Sequence, residues 1–381
     1  MHRQKVKIVL KFIIFVAILI LMLDAIGFAL SPSKAYTRLM IHDMYTEKSI
    51  DVVFIGPSRT YRGINPRIVD STVGIDSFNM GSADQGMDDT YYLLKEMYKY
   101  HTPKIIFINV GQNGFFTDSS NRQTEILFDY LRISPNKFSY LLNAFKPEDY
   151  LRGIFQVIRY RDLNEVLSPR TVSNNLITKL SSEYLSYSPS LLRYETEWYV
   201  GRGFVYSTRS LPKRISINVY SSGRVWDVAR VDEENVAFLE KSIRLCKEHC
   251  STPVLLDLPT SITHVSRWEN YAVYDNFVQE LASKNGVEYF DLTRIKNSVF
   301  ERKNEYYRDY QHLNGKGAIE FSNVFANFLI EYMDGTLNID DYLYSSFEEM
   351  MDDFKRCYEL WDEKASDIIP PDILDSSERI D

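Results

Sequence analysis

The stretch FIGPSRTYRGINP, residues 54–66, extends the apolar pair Val52-Val53 and then breaks at Gly56-Pro57-Ser58, with Arg59, Arg62 and Gly63 close behind. An apolar run ended by glycine reads as a buried strand entering a tight turn, which puts Ser58 at the strand's carboxyl end. In open α/β sheets that edge is where ligands bind. Taken alone, the stretch equally describes an ordinary strand and loop with a surface serine, so the rest of the chain has to decide.

The neighbouring segments supply an alternating rhythm. Residues 71–80 hold a short second strand, DDTYYLLKEMYKYH (88–101) carries apolar residues at helical spacing after an acidic start, and PKIIFINVGQNG (103–114) is a third strand running into a glycine-rich turn. The order strand, helix, strand predicts βαβ units and a parallel sheet, hence an α/β fold. Residues 115–230 break the rhythm and read as an insertion, helical at first and irregular later, of the kind that covers a site. The rhythm resumes with a helix in DEENVAFLEKSIRLCKEHC (232–250), a strand in TPVLLDLPT (252–260), a helix closed by Gly286, a strand in VEYFDLT (287–293), and a last helix beginning near Lys316.

The ends differ in character from this middle. Arg3, Lys5, Lys7 and Lys11 precede FIIFVAILILML (12–23), and apolar residues resume after Asp24. Residues 8–30 suffice to cross a roughly 30 Å hydrocarbon core at about 1.5 Å per residue. The basic flank then stays in the cytoplasm and the remainder is extracytoplasmic. A cleaved signal peptide is the competing reading, with small-residue sites at Ala25-Ile26-Gly27 and Ala29-Leu30-Ser31; either way the domain is exported. The expected organisation is residues 1–31 as cytoplasmic end and transmembrane anchor, 32–333 as the domain with its insertion, and 334–381 as an acidic tail. From residue 334 onward there are 15 acidic and 4 basic residues, a net of −11 within a chain total of −8, so the rest sums to +3. Basic residues are neither in excess nor clustered, which excludes a nucleic-acid partner. The segment 340–365 has apolar residues at helical spacing and reads as a docking helix, while 366–381 reads as mobile. Cys246, Cys250 and Cys357 are too few for a disulfide framework, and Cys246, His249 and Cys250 crowded at one helix end do not form a zinc pattern. No metal or cofactor is expected.

A hydroxyl nucleophile needs a base in hydrogen-bond reach, an acid orienting that base, and donors for a developing oxyanion. Ser58, Gly81, Asn113, Asp309 and His312 all fall just beyond expected strands or just before a helix. His264 with Asp257 is a rival base and acid, and Arg59 and Arg62 are candidates for binding an anionic substrate such as phosphate or uronate.

In this order FIGPSRTYRG, FNMGSADQG, NVGQNG and DYQHLNGKGA resemble the sequence blocks of the SGNH/GDSL hydrolase superfamily, including its membrane-anchored surface acyltransferases and esterases, over about residues 51–333. The resemblance implies a three-layer sandwich around a parallel sheet. It implies Ser58 as nucleophile, His312 as base, Asp309 as its orienting acid, and the Ser58 N–H, Gly81 N–H and Asn113 side chain as the oxyanion hole. Pro57, Arg59 and Gly114 depart from the family's usual residues. The implied function is transfer or hydrolysis of acyl, chiefly acetyl, esters on a cell-surface glycan or teichoic-acid-like polymer, with a membrane acyl-export partner for a transferase. The alternative is a catalytically inactive relative that binds glycan or scaffolds a polymer-export complex.

Overall fold

The computed structural model describes residues 2–116, 121–160, 168–212, 216–217, 224–357 and 361–362; residues 366–381 lie outside them. The strands are β1 (Val52–Ile55), β2 (Ser77–Asn79), β3 (Ile105–Asn109), β4 (Glu197–Gly201), β5 (Phe204–Ser207), β6 (Ser216–Ile217), β7 (Thr252–Asp257), β8 (Glu288–Asp291) and β9 (Trp361–Asp362). Five of them form one parallel sheet in the order β2-β1-β3-β7-β8. The fold is therefore α/β around a central parallel sheet.

Every residue of β1 and β3 is buried, the pattern of parallel strands covered on both faces. On one face Phe54 and Phe107 stack at 5.6 Å, and Phe325 from the helix Gly315–Asp334 meets them edge-on at 5.4 and 5.3 Å. Such aromatic pairs add about 0.5–1.5 kcal/mol each beyond their area. Val53, Ile106 and Leu255, which point to the opposite face, are equally buried. The helices Met87–Met97 and Glu233–Glu248 pack together, the latter also against β7.

Because β1 lies between β2 and β3, the chain leaves it first to one side and later to the other. That reversal opens a crevice at the carboxyl ends of β1 and β3. The turn after β1 demands glycine: Gly56 has φ +142°, and a Cβ there would meet the Asn109 carbonyl oxygen.

The short second strand expected within residues 71–80 is Ser77–Asn79, and residues 71–73 before it end a helix, Pro66–Val73. Asn65 caps it by accepting from the Arg67 N–H at 3.1 Å, Pro66 starts it, and left-handed Gly74 ends it. The later insertion is not irregular throughout, since β4 and β5 form an antiparallel hairpin. Its turn uses Gly201 at φ +117° and Gly203 at φ +80°, and Trp198 stacks on Tyr206 across the strands at 4.7 Å.

The segment expected to dock as one helix forms two, Ile339–Tyr342 and Phe347–Cys357, and the second buries Met350 and Phe354. The described chain falls into two compact units: Met1–Ala35 with Leu131–Leu191, and Tyr36–Tyr130 with Leu192–Asp381. In the first, the N-terminal helix His2–Leu30 contains an apolar stretch, Gln4–Leu30, long enough to cross a bilayer or to serve as a signal sequence.

Candidate active site

Ser58 opens the short helix Ser58–Gly63 directly after β1, with Pro57 as its N-cap. Its N–H therefore has no acceptor within the helix. Its Oγ lies 2.6 Å from Nε2 of His312, 254 positions along the chain. His312 and Asp309 share the loop before the helix Gly315–Asp334, and Nδ1 of His312 is 2.8 and 3.0 Å from the two Asp309 carboxylate oxygens.

This loop is folded around the carboxylate. The backbone N–H groups of Gln311 and His312 both donate to Asp309 Oδ1 at 2.9 Å. Burial opposes ionisation of Asp309, but His312, Arg308 and these N–H groups overcome it and hold the carboxyl well below the usual carboxylate range. An ionised Asp309 fixes the proton of a neutral imidazole on Nδ1, which leaves Nε2 to accept from the serine hydroxyl. An imidazole held in that way is arranged to take the Ser58 proton.

Behind Asp309 lies a buried chain of charges that the sequence did not reveal. Arg308 Nη1 is 3.5 Å from Asp309 Oδ2, its Nε is 2.5 Å from Glu197 Oε1, and Glu197 Oε2 is 3.3 Å from Arg62 Nη2. Burial raises the Glu197 pKa, yet the two arginines outweigh it and keep the carboxyl below its ordinary value. Glu197 comes from β4, in the insertion. The only local hint was the arginine beside Asp309, and nothing near Glu197 marked it.

The other site residues separate into three groups. Ser58, Arg59, Asn113, His264 and His312 line one cavity of about 710 Å³, together with Phe116, Arg224, Arg230, Trp268 and Gln311. Arg62 does not line it; it is buried against Glu197 and Tyr61. Gly81 does not line it either, and its N–H donates to Asn79 Oδ1 at 3.0 Å. Of the three expected oxyanion donors, the two on Ser58 and Asn113 thus belong to residues that line the nucleophile's cavity.

Arg59 lies at the cavity edge. Its Nη2 donates to Gln112 Oε1 at 3.2 Å and lies 3.7 Å from Asp257 Oδ1, while Nη1 is buried without a hydrogen-bond partner.

The rival pair is not assembled. Asp257 accepts from Tyr274 at 2.5 Å, Tyr289 at 3.1 Å and the Gly111 N–H at 3.1 Å, so it braces the turn after β3 rather than His264. Burial pushes its carboxyl up to about 7, against the pull of Arg59. Burial, with Arg59, Arg224 and Arg267 nearby, keeps the His264 imidazole neutral well below its ordinary pKa. His249 stacks on Tyr98 at 4.1 Å, and among the described residues no cluster of His, Cys, Asp and Glu could hold a metal ion.

Compared with protein-family models and with curated proteins, the chain matches none.

Proposed function

We propose that this protein is an SGNH-type serine enzyme, tethered to the membrane with its domain extracytoplasmic, that passes an acyl group, chiefly acetyl, to or from a cell-surface polysaccharide or teichoic-acid-like polymer. The observation that carries the reading is the unbroken hydrogen-bonded series Ser58–His312–Asp309 at the mouth of the sheet's crevice. The order of the sequence blocks and the parallel sheet support it by analogy of fold.

In the reaction His312 Nε2 takes the Ser58 proton as Oγ adds to the ester carbonyl carbon. The oxyanion receives hydrogen bonds from the Ser58 N–H and the Asn113 amide. Collapse breaks the bond to the donor alcohol, which leaves with the proton from His312. An acceptor hydroxyl, or water, then gives a proton to His312 and attacks the acyl carbon; the bond to Ser58 Oγ breaks, and His312 returns the proton to Oγ. Arg59, Arg224 and Arg230 along the cavity suit a polymer bearing phosphate or carboxylate. For a transferase, a membrane partner that exports acyl groups supplies the donor.

The test is intact-mass spectrometry of the full chain after incubation with an activated acetyl ester. An acetyl adduct in wild type that is lost in Ser58→Ala and His312→Ala supports the reading, and its decay with added glycan against water separates transferase from esterase. A folded wild type with neither adduct nor turnover overturns it. That outcome favours the second reading, a non-catalytic glycan-binding or scaffold protein, for which the engaged Gly81 N–H is the specific observation.

A further inference from the structure

We propose that the helices between residues 131 and 191 form a platform that lies on the membrane surface, with apolar side chains inserted among the lipids beside the end of the N-terminal helix. The proposal rests on the reading of that helix as a retained anchor.

The first observation is how firmly the helix end is held within its unit. The buried Lys179 Nζ donates to the Ser31 carbonyl and hydroxyl, each at 2.7 Å, and to the Phe28 carbonyl, and it sits 4.6 Å from the centre of the Phe28 ring. A cation there satisfies carbonyls that the helix end leaves open and complements its dipole. Leu30 is buried with Tyr160, Val157 and Val172. Gly27 lies so near the helix Gln156–Tyr160 that a Cβ would come within 2.7 Å of Gln156 Cβ. Ser33 Oγ donates to Asn175 Oδ1 at 3.0 Å. Cleavage at either small-residue site would remove part of this assembly.

The second observation is what the same helices leave uncovered. Beyond the N-terminal helix, eight of the thirteen exposed large apolar side chains among the described residues fall between 131 and 191. Six of the eight come in pairs one helical turn apart: Phe138 with Leu142, Leu151 with Ile154, and Ile177 with Leu180. Tyr140 and Leu141 meanwhile are buried, so the helix Pro135–Ala144 has an inner apolar side and a second, exposed one.

Position and charge select lipid as what covers the exposed side. The 27-residue apolar stretch Gln4–Leu30 is about 40 Å long, somewhat more than a roughly 30 Å hydrocarbon core, so residues 27–31 sit in the interfacial layer. Helices clamped to those residues start at the same depth. Residues 131–191 contain eight basic and five acidic residues, net +3, in a chain of net −8, a charge suited to anionic headgroups.

The test uses the full chain in vesicles of phosphatidylglycerol and phosphatidylcholine, with the exposed Cys250 and Cys357 replaced by serine; Cys246 is buried, with its thiol pushed up to about 12, and stays unlabelled. An environment-sensitive fluorophore is placed singly through Leu151→Cys, Ile177→Cys, Ile14→Cys in the anchor, or Met333→Cys as the aqueous reference. Quenching by lipid-borne nitroxide should be several-fold stronger at 151 and 177 than at 333, and strong at 14. Strong quenching at 14 with 151 and 177 no different from 333 overturns the platform while leaving the anchor and the serine chemistry untouched. No quenching at 14 overturns the anchored reading and the platform with it.

Discussion

His264 and His312 line the same cavity, and the aspartate and histidine sets to which they belong have come to opposite states. Asp309 and His312 stand three residues apart in one loop and bond to each other. Asp257 and His264 stand seven apart; the carboxylate is taken by two tyrosines, a backbone N–H and Arg59, and the imidazole is left among arginines. Identical side chains thus yield an ionised acid holding an imidazole in one case and a buried brace in the other. What separates them is the supply of backbone donors and nearby charges, which favours ionised Asp309, whereas desolvation disfavours ionised Asp257.

The largest effect that would break this comparison is in catalysis. His312→Ala is expected to abolish Ser58 acylation, a loss approaching about 10⁶-fold in turnover, while His264→Ala costs no more than about tenfold. Acylation rates with an activated ester check both, and an equal loss in the two variants would erase the distinction. Asp309→Asn should cost about 10⁴-fold, because the amide no longer fixes the Nδ1 proton. Asp257→Asn leaves that bond in place.

Stability against pH sharpens the contrast, because the two carboxyls have opposite signs. The folded pKa of Asp309 is depressed, so its contribution is present above the unfolded value near 3.9 and is lost as pH falls through the folded value. Asp257 is raised to about 7, so the folded state favours its neutral form, and its contribution is full below about 3.9 and declines as pH rises toward 7. Urea melts across pH 3–8 should show acid sensitivity reduced in Asp309→Asn and the decline between pH 4 and 7 reduced in Asp257→Asn.

Glu197→Gln leaves Arg62 and Arg308 buried without their shared counter-charge and should cost about 3 kcal/mol. Thermal unfolding reads that loss, and unchanged stability would show the charge chain to be dispensable. The smallest effect is expected of Arg59→Lys. It keeps the charge but loses the planar fork, so KM for an anionic glycan should rise severalfold while acylation by a small neutral ester stays unchanged.

Much of the frame could be read from short stretches. Val52–Ile55 ending at Gly56, the apolar Ile105–Asn109, and Asn314 and Gly335, which cap the two ends of the helix Gly315–Asp334, each carry their conformation locally, since strand burial, caps and left-handed turns depend on a few adjacent residues. The loop Asp309–His312 could be read for the same reason. The helix Pro66–Val73 was hidden because its cap, Asn65, also reads as turn chemistry. The hairpin Glu197–Ser207 was hidden because its cross-strand stack carries a stronger signal than its sequence alternation. Glu197, Arg224 and Arg230 gave no pattern at all, because their neighbours in space come from distant segments.

By itself the sequence determined an apolar N-terminal segment, a parallel α/β frame, and the placing of Asp309 and His312 in one loop before the helix Gly315–Asp334; these rest on interactions within a few residues or on repeating hydrophobicity. Only the tertiary structure decided that Ser58 meets His312, that Arg62 turns away from the cavity to pair with Glu197, and that the Gly81 N–H is spent on Asn79. Those outcomes depend on strand order and on competition among partners brought together from remote parts of the chain, and no local stretch of sequence encodes which partner wins.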